Sequence, residues 1–168
     1  DTLRYLLAEN SRGCDLAVIE GVMGYYDGLS LTSTQASTFE VAQKTESPAV
    51  LIVNARGAAL SVLASVQGFL QFQPDNQIQG VILNGCTAMS YGPLAREIER
   101  HFGLKACGFL PRLPDCALES RHLGLVTAQE VTDLREKMQR LAAAAEKTLD
   151  LDALLQLAQS ARALCFTP

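Results

Sequence analysis

Four stretches of the chain are continuous apolar runs, and each ends at a polar or turn residue. Residues 15–19 lead into Glu20, residues 49–53 into Asn54, residues 79–83 into Asn84, and residues 105–110 into Pro111. Runs of this length and β-branched content predict strands buried on both faces. Between them the apolar period changes to the helical one. Helices are predicted at 2–9, with Leu3, Leu6 and Leu7 on one face, at 58–69, at 90–102 before Gly103, and at 152–164. Two capping-box spacings mark further helix starts. Ser37-Thr-Phe-Glu40 opens a helix to about residue 45, stopped by Glu46-Ser-Pro48, and Thr127-Ala-Gln-Glu130 opens one that runs into residues 142–145. Pro74-Asp-Asn76 reads as a turn.

Strands alternating with helices predict an α/β fold, a parallel sheet with flanking helices. In open sheets of this class the ligand crevice lies beyond the carboxyl ends of the strands. Glu20, Asn54, Asn84 and Pro111 are then expected on one rim. The first strand end is the richest in chemistry. Glu20 enters a loop containing Gly21, Gly24 and Gly28, and the loop carries a second carboxylate, Asp27. Two acids in such a loop suit a metal ion, a polar substrate or both.

Composition narrows the classes. A chain of 168 residues, 48% hydrophobic and 19% charged, is long enough for one domain with a core. Its net charge of −4 argues against nucleic acid as a partner. No apolar run reaches the roughly 18 residues of a membrane span. The opening Asp1-Thr-Leu-Arg-Tyr lacks the pattern of a signal peptide, so a cytoplasmic location is expected. Five widely spaced cysteines, at 14, 86, 107, 116 and 165, fit neither a zinc pattern nor a disulfide scaffold and read as reduced thiols.

The stretch Asp15-Leu-Ala-Val-Ile-Glu20-Gly21-Val-Met-Gly24-Tyr-Tyr-Asp27-Gly28 resembles the signature of the cobyrinate a,c-diamide synthase family. Ser37-Thr38 opening a helix before a strand, Gly80-Val-Ile-Leu-Asn84, Leu110-Pro-Arg112 and Arg121-His122-Leu123-Gly124-Leu125 agree with it in order and spacing. The resemblance runs from residue 1 to about 155. It implies part of an ATP-dependent amidoligase, which uses glutamine-derived ammonia to convert two corrinoid carboxylates to amides. It also implies a P-loop NTPase fold like that of dethiobiotin synthetase, followed by a glutaminase domain on the same polypeptide. Neither the Gly-x-x-x-x-Gly-Lys-Ser/Thr phosphate cradle nor a glutaminase occurs in the 168 residues. The chain therefore resembles the middle of the longer enzyme, a P-loop fold lacking its P-loop segment and, by itself, inactive. Exposed apolar surface is expected where the absent strand and helix would pack, and with it self-association, for example as a homodimer.

The resemblance assigns roles to particular residues. Glu20 would be a ligand of Mg2+ and, with Asp27, would act at the reacting groups. Asn84 would read the adenine of ATP, with Pro111 and Arg112 flanking the nucleotide. Ser37 and Thr38, at a helix N-terminus, would receive a carboxylate arm of the substrate. Each has a plain structural counterpart: an acid beside a cation, a turn Asp before Gly28, a helix cap at Ser37, a turn Asn before Gly85. Family members usually carry Asp where this chain has Asn54, and Arg56-Gly57 reads as a turn. Two other readings stay open. One keeps the chemistry but takes nickel-sirohydrochlorin as the macrocycle. The other is a non-catalytic domain of the same fold that binds a partner.

Overall fold

A computed structural model describes residues 2–117 and 133–164. The elements run α1 (Thr2–Asn10), α2 (Thr38–Thr45), β1 (Ala49–Asn54), α3 (Ser61–Phe72), β2 (Ile78–Asn84), α4 (Ala88–Phe102), β3 (Lys105–Leu110), a 3-10 turn at Pro114–Cys116, α5 (Leu134–Thr148) and α6 (Leu151–Gln159). The three strands form one parallel sheet in the order β1-β2-β3. This confirms an α/β architecture with a parallel sheet and flanking helices.

Register and alternation build the core. Leu51 pairs with Val81 and Val53 with Leu83, so these four side chains point to the same face. They meet Val62 and Val66 of α3 and Leu94 and Ile98 of α4 in one buried cluster. On the other face α6 packs on β2 and β3. There a β-carbon at Gly80 would lie 2.8 Å from Leu157, so the strand and helix approach too closely for a side chain. Ile52 on this face of β1 is 62% exposed.

The helix ends follow from capping chemistry. Ser37 accepts from the Glu40 amide at 3.2 Å, and Glu40 reaches back to the Ala36 amide, one residue beyond the expected partner. The α4 N-terminus is closed by Thr87 and Ser90, each side chain bonding the other's amide at 3.3 Å. Its C-terminus stops at Gly103, as predicted.

Several expectations need correction. Residues 15–19 are not a strand. They pair with nothing in the sheet, and Leu16, Val18 and Ile19 are 45%, 85% and 44% exposed. A strand gains its hydrogen bonds from a neighbour, and among the described residues none lies alongside. The third helix starts at residue 61 rather than 58, because residues 55–60 form successive tight turns, such as Ala58 N–H to the Ala55 carbonyl at 3.2 Å. The last helix ends at residue 159, where the Ser160 amide turns back to the carbonyls of Gln156 and Leu157. The predicted start of the fifth helix at Thr127 lies outside the described residues. No described helix is long and apolar enough to cross a membrane.

Ile98 has no exposed surface, whereas Met138 on α5 is 53% exposed. Ile98→Ala should lower the unfolding free energy by about 2–5 kcal/mol through a cavity against the sheet. Met138→Ala should change it by less than about 0.5 kcal/mol. Urea titration of the two variants checks both values.

Candidate functional site

The candidate residues fall into two groups. The first is the acidic loop and the helix that follows it. Glu20 and Asp27 are both exposed. Gly21 sits against Thr38: a β-carbon there would lie 2.6 Å from the Thr38 hydroxyl oxygen. The loop is closed by the Asp27 amide on the Gly24 carbonyl and the Leu29 amide on the Gln35 carbonyl, both at 2.9 Å. Gly28 is needed for this closure, since any β-carbon would collide with the carbonyls of Ser33 and Gln35. Ser37 is buried and is spent as the cap of α2, while Thr38 is half-buried beside Gly21. Lys44, 2.7 Å from Glu40, and the Ala36 amide hold the Glu40 carboxyl below its ordinary range.

The second group lies at the carboxyl ends of the strands. Asn54 is level with Asn84, and Asn84 with Leu110. The Asn54 side chain accepts from the Arg56 amide at 3.1 Å and so fixes its own turn. The Asn84 side chain is exposed and makes no hydrogen bond among the described residues. Its carbonyl accepts from Ala55 at 2.8 Å, and the Leu110 carbonyl accepts from Gly85 and Cys86 at 2.9 and 3.2 Å. Gly85 adopts φ +70, a conformation that favours glycine, and a β-carbon there would lie 3.3 Å from the Arg56 side chain. Pro111 is half-buried and Arg112 exposed just beyond β3. A planar amide with free donors and acceptors, at a rim that also carries a proline and an arginine just beyond the next strand, has the chemistry to read a flat polar ring.

The structure does not join the two groups. No hydrogen bond or ion pair among the described residues links positions 20–40 with positions 84–112. The loop is anchored elsewhere. Tyr25 donates to the Asn76 carbonyl, Tyr26 donates to the Phe69 carbonyl at 2.5 Å, and the Phe39 amide binds the Tyr25 carbonyl at 2.9 Å. Phe69 and Asn76 bracket the turn from α3 into β2, at the amino end of that strand. Asn84 ends the same seven-residue strand, about 20 Å away at ~3.3 Å per residue. Asn54, Asn84 and Pro111 are thus strand-end neighbours on one rim, whereas Glu20 follows residues 15–19, which are not in the sheet, so no strand delivers it there. Arg121 and His122 lie outside the described residues. The two tyrosine anchors were not foreseen; their signal was a pair of aromatic residues immediately before a turn.

Among the described residues no three His, Cys, Asp or Glu side chains converge on one point. The oxygen donors present still suit Mg2+, which binds one or two protein oxygens and fills its octahedron with water and phosphate. Glu20 is an exposed carboxylate, and the Thr38 hydroxyl lies beside its neighbour Gly21.

Ser37→Ala should cost about 0.5–2 kcal/mol by uncapping α2. Thr38→Ala, whose hydroxyl makes no hydrogen bond among the described residues, should cost less than about 0.5 kcal/mol. Denaturant unfolding of the two variants separates the cap from its neighbour.

Comparison with known proteins gives the chain its relatives. It is 36% identical over 165 residues to the cobyrinate a,c-diamide synthase of Listeria innocua, covering 98% of this chain and 36% of that one. It is 39% identical over 156 residues to the enzyme of the same name from Salmonella typhimurium, covering 92% and 34%. It is 40% identical over 160 residues to the hydrogenobyrinate a,c-diamide synthase of Streptomyces coelicolor, covering 95% and 33%. No protein-family model and no solved structure matches. The chain spans about a third of the length of these relatives. Over nearly its whole length the chain is therefore similar to about one third of the length of these cobyrinate and hydrogenobyrinate a,c-diamide synthases.

Proposed function

We propose that this chain is the central part of the ATP-binding domain of an a,c-diamide synthase of corrinoid synthesis, an amidoligase working in the cytoplasm. The observation that carries the reading is the match over 92–98% of the chain to enzymes so named. In this reading the γ-phosphoryl group of ATP moves to a substrate carboxylate. The products are ADP and an acyl phosphate. Ammonia, released from glutamine by a glutaminase domain of the same polypeptide, attacks the acyl carbon. The C–O bond to phosphate breaks, and an amide and inorganic phosphate leave. Such chemistry needs positioning and charge neutralisation more than covalent help from the protein.

The residues divide this work. Asn84 hydrogen-bonds the base edge, with Pro111 and Arg112 on either side. Glu20 holds Mg2+, whose charge neutralises the phosphates when bound. Asp27 orients the carboxylate-bearing substrate. Thr38 and the free amides at the start of α2 receive an anionic arm. The phosphate cradle comes from a strand and helix of the longer polypeptide, in a P-loop NTPase fold. That strand has a place to go. Among the described residues β1 has one free edge, Ile52 is exposed on the face beside that edge, and the apolar residues 15–19 lack a ladder. A strand between them would pair both and carry Glu20 toward the rim of Asn54 and Asn84.

In the complete enzyme Glu20→Ala should abolish amidation, since a lost metal ligand removes several kcal/mol of charge stabilisation. Asn84→Ala should weaken ATP binding by about 1–3 kcal/mol and relax selection against GTP. Steady-state kinetics with both nucleotides decide; normal turnover of the first or unchanged nucleotide preference of the second refutes the role. Supplying cobyrinate, hydrogenobyrinate and nickel-sirohydrochlorin in turn identifies the macrocycle.

The 168-residue chain alone should self-associate through its open apolar edge. Light scattering should give a mass above that of the 18.1 kDa monomer, and Ile52→Lys should lower it. A monomeric profile for the unaltered chain contradicts the open edge.

A further inference from the structure

We propose that Tyr25 and Tyr26 are positioning residues for Asp27, two hydroxyl tethers that hold the acidic loop in one orientation on the turn between α3 and β2. The inference rests on the reading of Asp27 as a substrate-facing carboxylate.

The last four carbonyls of a helix have no partner within it. At the end of α3 two of these are used. The Phe69 carbonyl accepts the Tyr26 hydroxyl at 2.5 Å, and the Leu70 carbonyl accepts the Asn76 side-chain amide at 2.9 Å. Asn76 is itself held on every side. Its amide also donates to the Gln73 carbonyl and its side-chain oxygen accepts from the Ile78 amide, both at 3.0 Å. Its own carbonyl takes the Tyr25 hydroxyl. Both tyrosines therefore bind backbone atoms that the frame has already fixed.

The rings set the direction of these bonds. Tyr26 stacks on Phe69 with centroids 5.9 Å apart and planes 17° apart. Tyr25 meets Tyr26 edge-on at 5.0 Å, and Phe39 closes the cluster at 6.2 and 5.3 Å. Burial, with the neighbouring Tyr26 second, raises the Tyr25 hydroxyl above its ordinary pKa, and burial does the same for Tyr26. Both remain protonated donors at neutral pH. The next residue is Asp27, whose amide bonds the Gly24 carbonyl at 2.9 Å and whose carboxylate lies against Gly24, where no side chain would fit. Phenylalanine would fill the same volume at 25 and 26. What the hydroxyls add is a fixed origin for the turn that presents the carboxylate.

The test uses the complete enzyme and measures amide formation against corrinoid and ATP. Tyr25→Phe and Tyr26→Phe each keep the ring and remove one tether. Asp27→Asn should lower kcat about a hundredfold, and each tyrosine variant about tenfold with KM for ATP unchanged. Adding Tyr26→Phe to Asp27→Asn should cost nothing more. Should Tyr25→Phe fail to fold by circular dichroism, Tyr26→Phe carries the test. Wild-type kcat in Tyr26→Phe while Asp27→Asn is crippled overturns the tether and leaves the role of Asp27 standing. Losses that multiply in the double variant also overturn it. Wild-type activity in Asp27→Asn removes that role, and the tether with it.

Discussion

Every strand in this chain needs a backbone partner, and the supply of partners decides what is ordered and what is exposed. β2 is satisfied on both sides. Its residues 80–83 are all buried, and it supports the level row of Asn54, Asn84 and Leu110. Among the described residues β1 is satisfied on one side only: Leu51 and Val53 are buried in the cluster beneath α3, while Ile52 faces out. Residues 15–19 are satisfied on neither side. They have the composition of a buried strand but not its environment, and their apolar side chains are exposed. Hydrophobic pattern alone does not make a strand; the ladder does.

The turn from α3 into β2 is the second fixed point. The Asn76 side chain joins two carbonyls and one amide there, and the same turn anchors the loop through the hydroxyls of Tyr25 and Tyr26. A loop closed by glycines at 24 and 28 would otherwise sample many conformations. It is confined because one buried and one half-buried ring, Tyr25 and Tyr26, stand next to its acid. Order in this loop is thus borrowed from the core, through aromatic packing, and not from regular structure of its own.

Much of the frame was legible from residue types. The strands at 49–54, 79–84 and 105–110 announce themselves by continuous apolar runs ending in turn residues, and the structure differs by one residue at the start of the second. Ser37 and Gly103 are readable as helix ends because their side chain, or the lack of one, solves a local bonding problem. The failures have a common cause. The run at 15–19 is locally identical in kind to the other three, and what it lacks is a neighbour, which no local pattern reports. The tethers were invisible for the same reason. Tyr25 and Tyr26 bond to carbonyls 51 and 43 residues away. A tyrosine hydroxyl has no sequence signature for a distant backbone acceptor.

The two groups of candidate residues differ in how firmly the described chain fixes them. Asn84 needs nothing beyond the sheet: its strand is central, its neighbours on both sides are in register, and its amide faces solvent at the rim. Glu20 depends on a segment that has not found its ladder. A carboxylate that is to hold a cation beside phosphates must be fixed to within a fraction of an ångström, and an exposed unpaired stretch does not supply that precision. In the proposed reading a strand beside β1 would supply that precision. The same strand would remove the exposed edge, which is otherwise a liability in any sheet. In that reading one added strand would both cover the open surface and fix the acid. In the proposed reading, binding of a base and assembly of a reacting centre would then be separable.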